Sequence, residues 1–129
     1  MADNPKDLRY TKEHEWARRS GATVVVGITA HAQEALGDVV YVDLPKVGAA
    51  VTAGASFGTV ESTKAVSELY APVSGKVVKV NQTLADQPQL INQDPYGKGW
   101  ICEVELSQPS ELDALMDAGA YTQLVAAAG

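Results

Sequence analysis

Apolar residues along this chain come in short runs of β-branched and aromatic side chains. Gly, Pro, Asn, Asp or Ser interrupts them every few positions, which is the punctuation of short strands rather than long helices. Residues 8–10 and 16–18 read as strands around the turn-like Thr11-Lys12-Glu13-His14. Ser20-Gly21 then turns the chain into a β-branched strand at 23–27. Thr29 caps a short helix, Ala30–Leu36, which stops at Gly37, a natural left-handed C′ residue. Residues 1–6 are polar and read as loose.

The middle of the chain repeats itself. Gly37-Asp38-Val39-Val40-Tyr41-Val42 and Gly75-Lys76-Val77-Val78-Lys79-Val80 share one G-x-V-V-x-V pattern. Val51 and Phe57 are six apart, as are Leu84 and Leu90, so each half reads as a strand-loop-strand unit. Units of this size bury their apolar faces by packing on each other, which predicts a two-layer β-structure with a quasi-twofold axis. Residues 58–75 read as strand, tight turn, strand, turn, with Thr63-Lys64 at the tip of the hairpin 58–70. At the tip, the Lys64 amine is expected to project into water on its flexible stem. Further on, the alternation of residues 100–106 places Trp100, Cys102, Val104 and Leu106 on one face. Beyond Pro109 the period changes: Leu112, Leu115 and Met116 fit one helical face, Gly119 interrupts, and Leu124 and Val125 continue. Two short C-terminal helices, about 108–126, are therefore expected to pack on the sheet, with 126–129 fraying.

Composition narrows the functional classes. At 129 residues the chain is expected to be a single domain, 1–129, with a real core, and no apolar run approaches a membrane span. The net charge of −6, from 16 acidic against 10 basic residues, argues against nucleic acid or anionic lipid as partner and is compatible with basic protein surfaces. One cysteine excludes an internal disulfide, and the alternation makes Cys102 a buried small hydrophobe. The N-terminus lacks the features of a secretory or transit peptide, so the expected location is cytoplasmic.

The candidate chemistry centres on Lys64. A free lysine titrates near ~10.4, and a Schiff-base role would need burial or a cationic neighbour to lower that value. Glu61 and Glu68 instead stabilise the ammonium, which suits a modification site recognised by another enzyme. The histidines, His14 and His31, and one cysteine do not compose a zinc site. His31 reads as a surface residue of the short helix. There is no nucleophile elbow, phosphate loop or dinucleotide fingerprint, and Asp94-Pro95-Tyr96-Gly97 is a loop by turn chemistry. Trp16, Tyr70 and Trp100 are core or interface aromatics.

Glu61-Ser62-Thr63-Lys64-Ala65 on a strand-turn-strand, followed by Ala71-Pro72-Val73-Ser74-Gly75, resembles the lipoylation hairpin of lipoyl carriers. The wider chain resembles the glycine cleavage system H-protein family. That likeness rests on Tyr10-Thr11-Lys12-Glu13-His14-Glu15-Trp16, Val26-Gly27-Ile28-Thr29 and Ala32-Gln33-Glu34-Ala35-Leu36-Gly37-Asp38-Val39-Val40. Asn92-Gln93-Asp94-Pro95-Tyr96-Gly97 and Glu111-Leu112-Asp113-Ala114-Leu115 extend it over nearly the whole chain.

The resemblance implies a mainly β fold, a lipoyl/biotinyl-type barrel-sandwich hybrid with a short helix after the N-terminal strands and C-terminal helices. It implies a carrier rather than an enzyme, expected to be monomeric, with lipoic acid amide-linked to Lys64. The arm would take an aminomethyl group from a pyridoxal-phosphate glycine decarboxylase, pass it to a tetrahydrofolate-dependent aminomethyltransferase, and be reoxidised by dihydrolipoyl dehydrogenase. A lipoyl ligase, or an octanoyl transferase with lipoyl synthase, would install it. An aminomethyl thioether is fragile unless its amine is protonated, so a carboxylate is expected to line a cleft where the loaded arm rests. Glu15 is the first candidate and Glu13 or Glu68 the second, with His14 near the arm and Glu61 beside the lysine.

A lipoate relay to other enzymes is an alternative within the same class. Biotinyl modules flank the lysine with methionines, whereas Thr63 and Ala65 flank Lys64, and acyl-carrying lipoyl domains are segments of larger enzymes. An unmodified scaffold or small hydrolase would need a nucleophile–base pair that the sequence does not supply.

Overall fold

The structure is a computed structural model and describes residues 5–128. Its strands form two sheets. In the larger, the order is β1 (Arg9–Tyr10), β2 (Glu15–Ser20), β3 (Thr23–Ile28), β9 (Cys102–Leu106), β8 (Gly75–Val80) and β5 (Ala50–Val51). The smaller contains β4 (Val39–Asp43), β6 (Ser56–Ser62) and β7 (Val66–Tyr70), in that order. Every pairing is antiparallel. The two G-x-V-V-x-V segments fall in β4 and β8, one in each sheet. Val24, Val26, Val77 and Val104 from the large sheet meet Val39, Val42, Val60 and Leu69 from the small one in a shared core. Burying one branched aliphatic side chain is worth about 1.5–3 kcal/mol, so this seam contributes substantially to stability. The fold class is mainly β, as expected of the lipoyl-type hybrid.

The opposite face of the large sheet carries a second cluster, in which Leu8, Tyr10 and Trp16 pack with Ala118 and Tyr121 of α4 (Ala118–Ala128). Consecutive residues Glu15, Trp16 and Ala17 are therefore all buried, because both faces of β2 are covered. The Trp16 indole lies against Gly27 so closely that a Cβ there would sit 2.4 Å from Cζ2. Its Nε1–H donates to the carbonyls of Ile28 and Pro95, each at 3.0 Å. That geometry gives Gly27 and Pro95 a structural role. Helix α1 spans Ala30–Leu36 with Thr29 Oγ1 accepting the Ala32 N–H, as its sequence predicts.

Several elements differ from the sequence expectation. Leu84 and Leu90 lie in one-turn helices, α2 (Thr83–Asp86) and α3 (Leu90–Gln93), where a strand-loop-strand unit was expected. Local bonds such as Gln87 N–H to Thr83 O and Ile91 N–H to Pro88 O close these turns, and Leu84 and Ile91 cap the core. Trp100 precedes β9 and packs on the second cluster, apart from Cys102 and Val104. Pro109–Ala114 is a 3-10 helix, while Leu115 and Met116 are not helical. Met116 instead exchanges backbone hydrogen bonds with Tyr10 at 2.8 and 2.9 Å.

Gly119 lies inside α4; the break falls at Asp117, whose carboxylate accepts the Ala120 N–H at 2.8 Å. Helix α4 runs through Ala128 rather than fraying at 126. Gly37 has the expected positive φ of 82°, but its ψ of −154° sends the chain out extended rather than into the left-handed helical region. Of the loose N-terminal segment, residues 1–4 lie outside the described residues, and the Pro5 carbonyl accepts the Tyr10 hydroxyl. Among the described residues no helix is long and apolar enough to cross a membrane.

Candidate functional site

Strands β6 and β7 pair from Ser56↔Tyr70 to Glu61↔Val66, leaving a turn with Thr63 and Lys64 at its apex. The Ser62 side chain shapes that turn. Its Oγ accepts the N–H of Lys64 at 3.3 Å and of Ala65 at 3.1 Å, while Ser62 N–H donates to Ala65 O at 2.8 Å. The tip also has a support: Thr63 N–H donates to Asp38 O at 3.0 Å. Lys64 is exposed, yet its stem does not stand clear of the surface. It lies across Gly37, where a Cβ would come 3.3 Å from Lys64 Cε.

The Gly37–Asp38 ledge is held from below by Asn92, a residue the sequence reading quoted without a role. Its amide donates to Gly37 O at 2.8 Å and Gln33 Oε1 at 3.0 Å, and its Oδ1 accepts Val39 N–H at 2.9 Å. One side chain thus joins α3, the end of α1 and the start of β4 beneath the hairpin tip.

Next to this ledge, a cleft of about 160 Å³ opens between the β1–β2 turn, α1 and β7. Glu13, His14 and Glu15 line one side, Leu36 another, and Ser67 and Glu68 a third. The structure therefore brings together four of the residues singled out with Lys64, namely Glu13, His14, Glu15 and Glu68. Glu61 does not line the cleft; it pairs with Tyr41 and Val66 across the small sheet. Tyr41 and Val66 are exposed beside it. Tyr70 donates its hydroxyl to Glu68 at 3.1 Å, and the half-buried His31 of α1 has its ring centroid 4.7 Å from that of His14.

Glu15 is the unusual member, because a carboxylate is rarely as buried as its 2 % exposure makes it. Thr11 donates its hydroxyl to Oε1 at 2.5 Å, and the Tyr70 N–H donates to Oε2 at 3.1 Å. Neither partner is a cation. Burial pushes the carboxyl up from its ordinary 4.5 to about 7, against the opposing pull of the Thr11 and Tyr70 hydrogen bonds. A second, larger cavity of about 580 Å³ touches Glu15 from the side of Tyr10, Leu115 and Met116.

This burial has a measurable consequence. The folded chain holds the Glu15 proton more tightly than the unfolded one, so stability declines as pH rises from about 4.5 to about 7 and levels off above. The full ionisation cost is on the order of 3 kcal/mol. In Glu15→Gln that descent should flatten, read by urea unfolding at stepped pH; a difference from the parent chain that does not vary with pH would contradict the assignment.

Cys102 is buried in the core, and burial pushes its thiol up to about 12, so it takes no part in the site.

Comparison with known proteins finds likenesses over nearly the whole chain. A family model described as glycine cleavage H-protein matches residues 8–128. A glycine cleavage system H protein from Myxococcus xanthus is 67% identical over 126 residues, covering 97% of this chain and 98% of that protein. One from Anaeromyxobacter is 64% identical over 121 residues, covering 94% of each. The crystal structure of an H protein from Mycobacterium marinum superposes with a TM-score of 0.87 at 46% identity, covering 95% of this chain and 99% of that one.

Proposed function

The chain belongs to the glycine cleavage H-protein family, the lipoyl carriers of the glycine cleavage system, and we propose that Lys64 is where it carries its lipoyl group. The observation that carries this assignment is the position of Lys64, exposed at the apex of a buttressed hairpin and beside a cleft with a buried carboxylate in its wall. When bound, lipoate supplies a disulfide that takes up an aminomethyl group released on glycine decarboxylation and is left as a dithiol once that group is handed on.

The chain's own residues do the rest. Ser62 and the Gly37–Asp38 ledge fix where the tether begins, so partner enzymes meet it at one place. Acylation removes the Lys64 charge and lengthens its side chain. A tether of this kind presents its end at an effective concentration in the mM range.

Glu15, Glu13 and Glu68 give the cleft an acidic wall. At neutral pH the empty cleft leaves Glu15 shared between its protonated and ionised forms. A cationic load facing it favours the carboxylate, and the carboxylate in turn keeps an amine protonated. Such a pair at ~4 Å is worth roughly 1 kcal/mol in water and about 4 near a protein surface.

The partners on this reading are the pyridoxal-phosphate glycine decarboxylase, the tetrahydrofolate-dependent aminomethyltransferase and dihydrolipoyl dehydrogenase. A lipoyl ligase or octanoyl transferase acts beforehand. The chain lipoylated at Lys64, mixed with the three enzymes, should support glycine- and tetrahydrofolate-dependent NAD reduction, and the unmodified chain should support none. Equal rates from both forms would refute the reading.

A further inference from the structure

A pair of hydroxyls connects α4 to the arm cleft. Tyr121 is wholly buried, its ring stacked on Tyr10 at 4.6 Å and 7°. Its Oη lies 2.8 Å from Thr29 Oγ1 and 2.7 Å from His14 Nδ1. Thr29, also fully buried, accepts the Ala32 N–H as the cap of α1, so its own proton must find an acceptor. Tyr121 Oη is the one in reach. With that lone pair occupied, the Tyr121 proton points at His14 Nδ1, and the donation runs Thr29 to Tyr121 to His14.

His14 has an uncommon backbone conformation, φ 73°, at the end of the turn between β1 and β2. Its main chain is fixed by its N–H to Thr11 O at 3.1 Å and by Thr29 N–H donating to its carbonyl at 3.0 Å.

We propose that Tyr121 is a positioning residue of the arm cleft: by donating to Nδ1 it holds His14 as the neutral Nε2–H tautomer, so that the imidazole adds no positive charge to the wall it shares with Glu13 and Glu15. The role in the cleft rests on the reading above, in which a cationic load is held there. A protonated His14 would repel that load. The groups facing His14 divide in sign. Glu13 on its own turn favours an imidazolium, and Glu15 on β2 and Glu68 on β7 line the same cleft. His31 on α1 and burial disfavour it, and Tyr121 is the contact from α4. Burial is the largest of these influences and lowers the His14 pKa. The tyrosine's hydrogen bond adds to it by stabilising the neutral ring.

The test uses the full, unmodified chain. Nitrogen NMR of the imidazoles should show His14 bare at Nδ1 and protonated at Nε2. In Tyr121→Phe, which keeps the ring stacked on Tyr10, the His14 titration midpoint should rise by about half to one pH unit, the equivalent of one net hydrogen bond. Thr29→Ser, which keeps the hydroxyl, should leave it unchanged. A wild-type proton on Nδ1, or a midpoint unmoved in Tyr121→Phe, overturns the proposal. In the loaded chain, Tyr121→Phe should shorten the lifetime of the aminomethyl group and shift its pH profile by the same amount. A shifted midpoint with an unaltered lifetime would also overturn it, by separating His14 from the cleft's task, while leaving the assignment of Lys64 standing.

Discussion

Replacing Lys64 by arginine is expected to abolish both the mass gain with a lipoylating enzyme and the coupling of glycine breakdown to folate charging. The charge is kept, but a guanidinium stays protonated at any working pH and offers no free amine to acylate. The fold should not notice. Lys64 is exposed, and the turn is held by Ser62, the Asp38 carbonyl and backbone bonds, none of which uses the lysine side chain. Unfolding free energy should stay within about 0.5 kcal/mol of the parent, as for other surface substitutions. Intact mass, circular dichroism and the reconstituted assay together separate loss of the acceptor from loss of the fold.

The second large effect concerns Glu15. In the loaded chain, Glu15→Gln should speed breakdown of the aminomethyl group by roughly tenfold to a hundredfold at neutral pH. Breakdown needs the amine unprotonated, and removing a charge pair worth a few kcal/mol lowers the amine's pKa by one to two units. Gln nearly preserves shape and volume while removing the charge, and it keeps one of the two acceptor oxygens that Thr11 and Tyr70 use. Glu68→Gln should act more weakly, because Glu68 is exposed and its field is screened by water and salt. Release of formaldehyde and ammonia from loaded chains, timed across pH, reads both. Equal rates in the parent and Glu15→Gln would remove Glu15 from the role.

Much of this site was legible in the chain because its signals are local. The hairpin around Lys64 announces itself through alternation and turn residues within about a dozen positions, and Thr29 with Gly37 marks both ends of α1. Glu15 stood out only through the motif containing it; its burial follows from the covering of both faces of β2, which no local pattern reveals.

Tyr121 escaped notice for the same reason: its bonds to Thr29 and His14 span 92 and 107 residues. On its helix, the apolar spacing of Leu124 and Val125 is visible in the sequence, whereas the contacts of the buried Tyr121 hydroxyl are not. Asn92 is similar, with a side chain reaching 53 residues back to Val39. Leu84 and Leu90 misled because a pair of apolar residues six apart fits a strand loop as well as two single helical turns. The Leu115–Met116 pair fits a helical face, but Met116 finds better use for its backbone against Tyr10.

Peptide fragmentation after incubation with lipoyl ligase, ATP and lipoate tests the role of Lys64 most directly. The added mass should sit on Lys64 alone, with the remaining lysines unmodified. A lipoyl group mapped to any other lysine, or a correctly folded chain that accepts none, would contradict it.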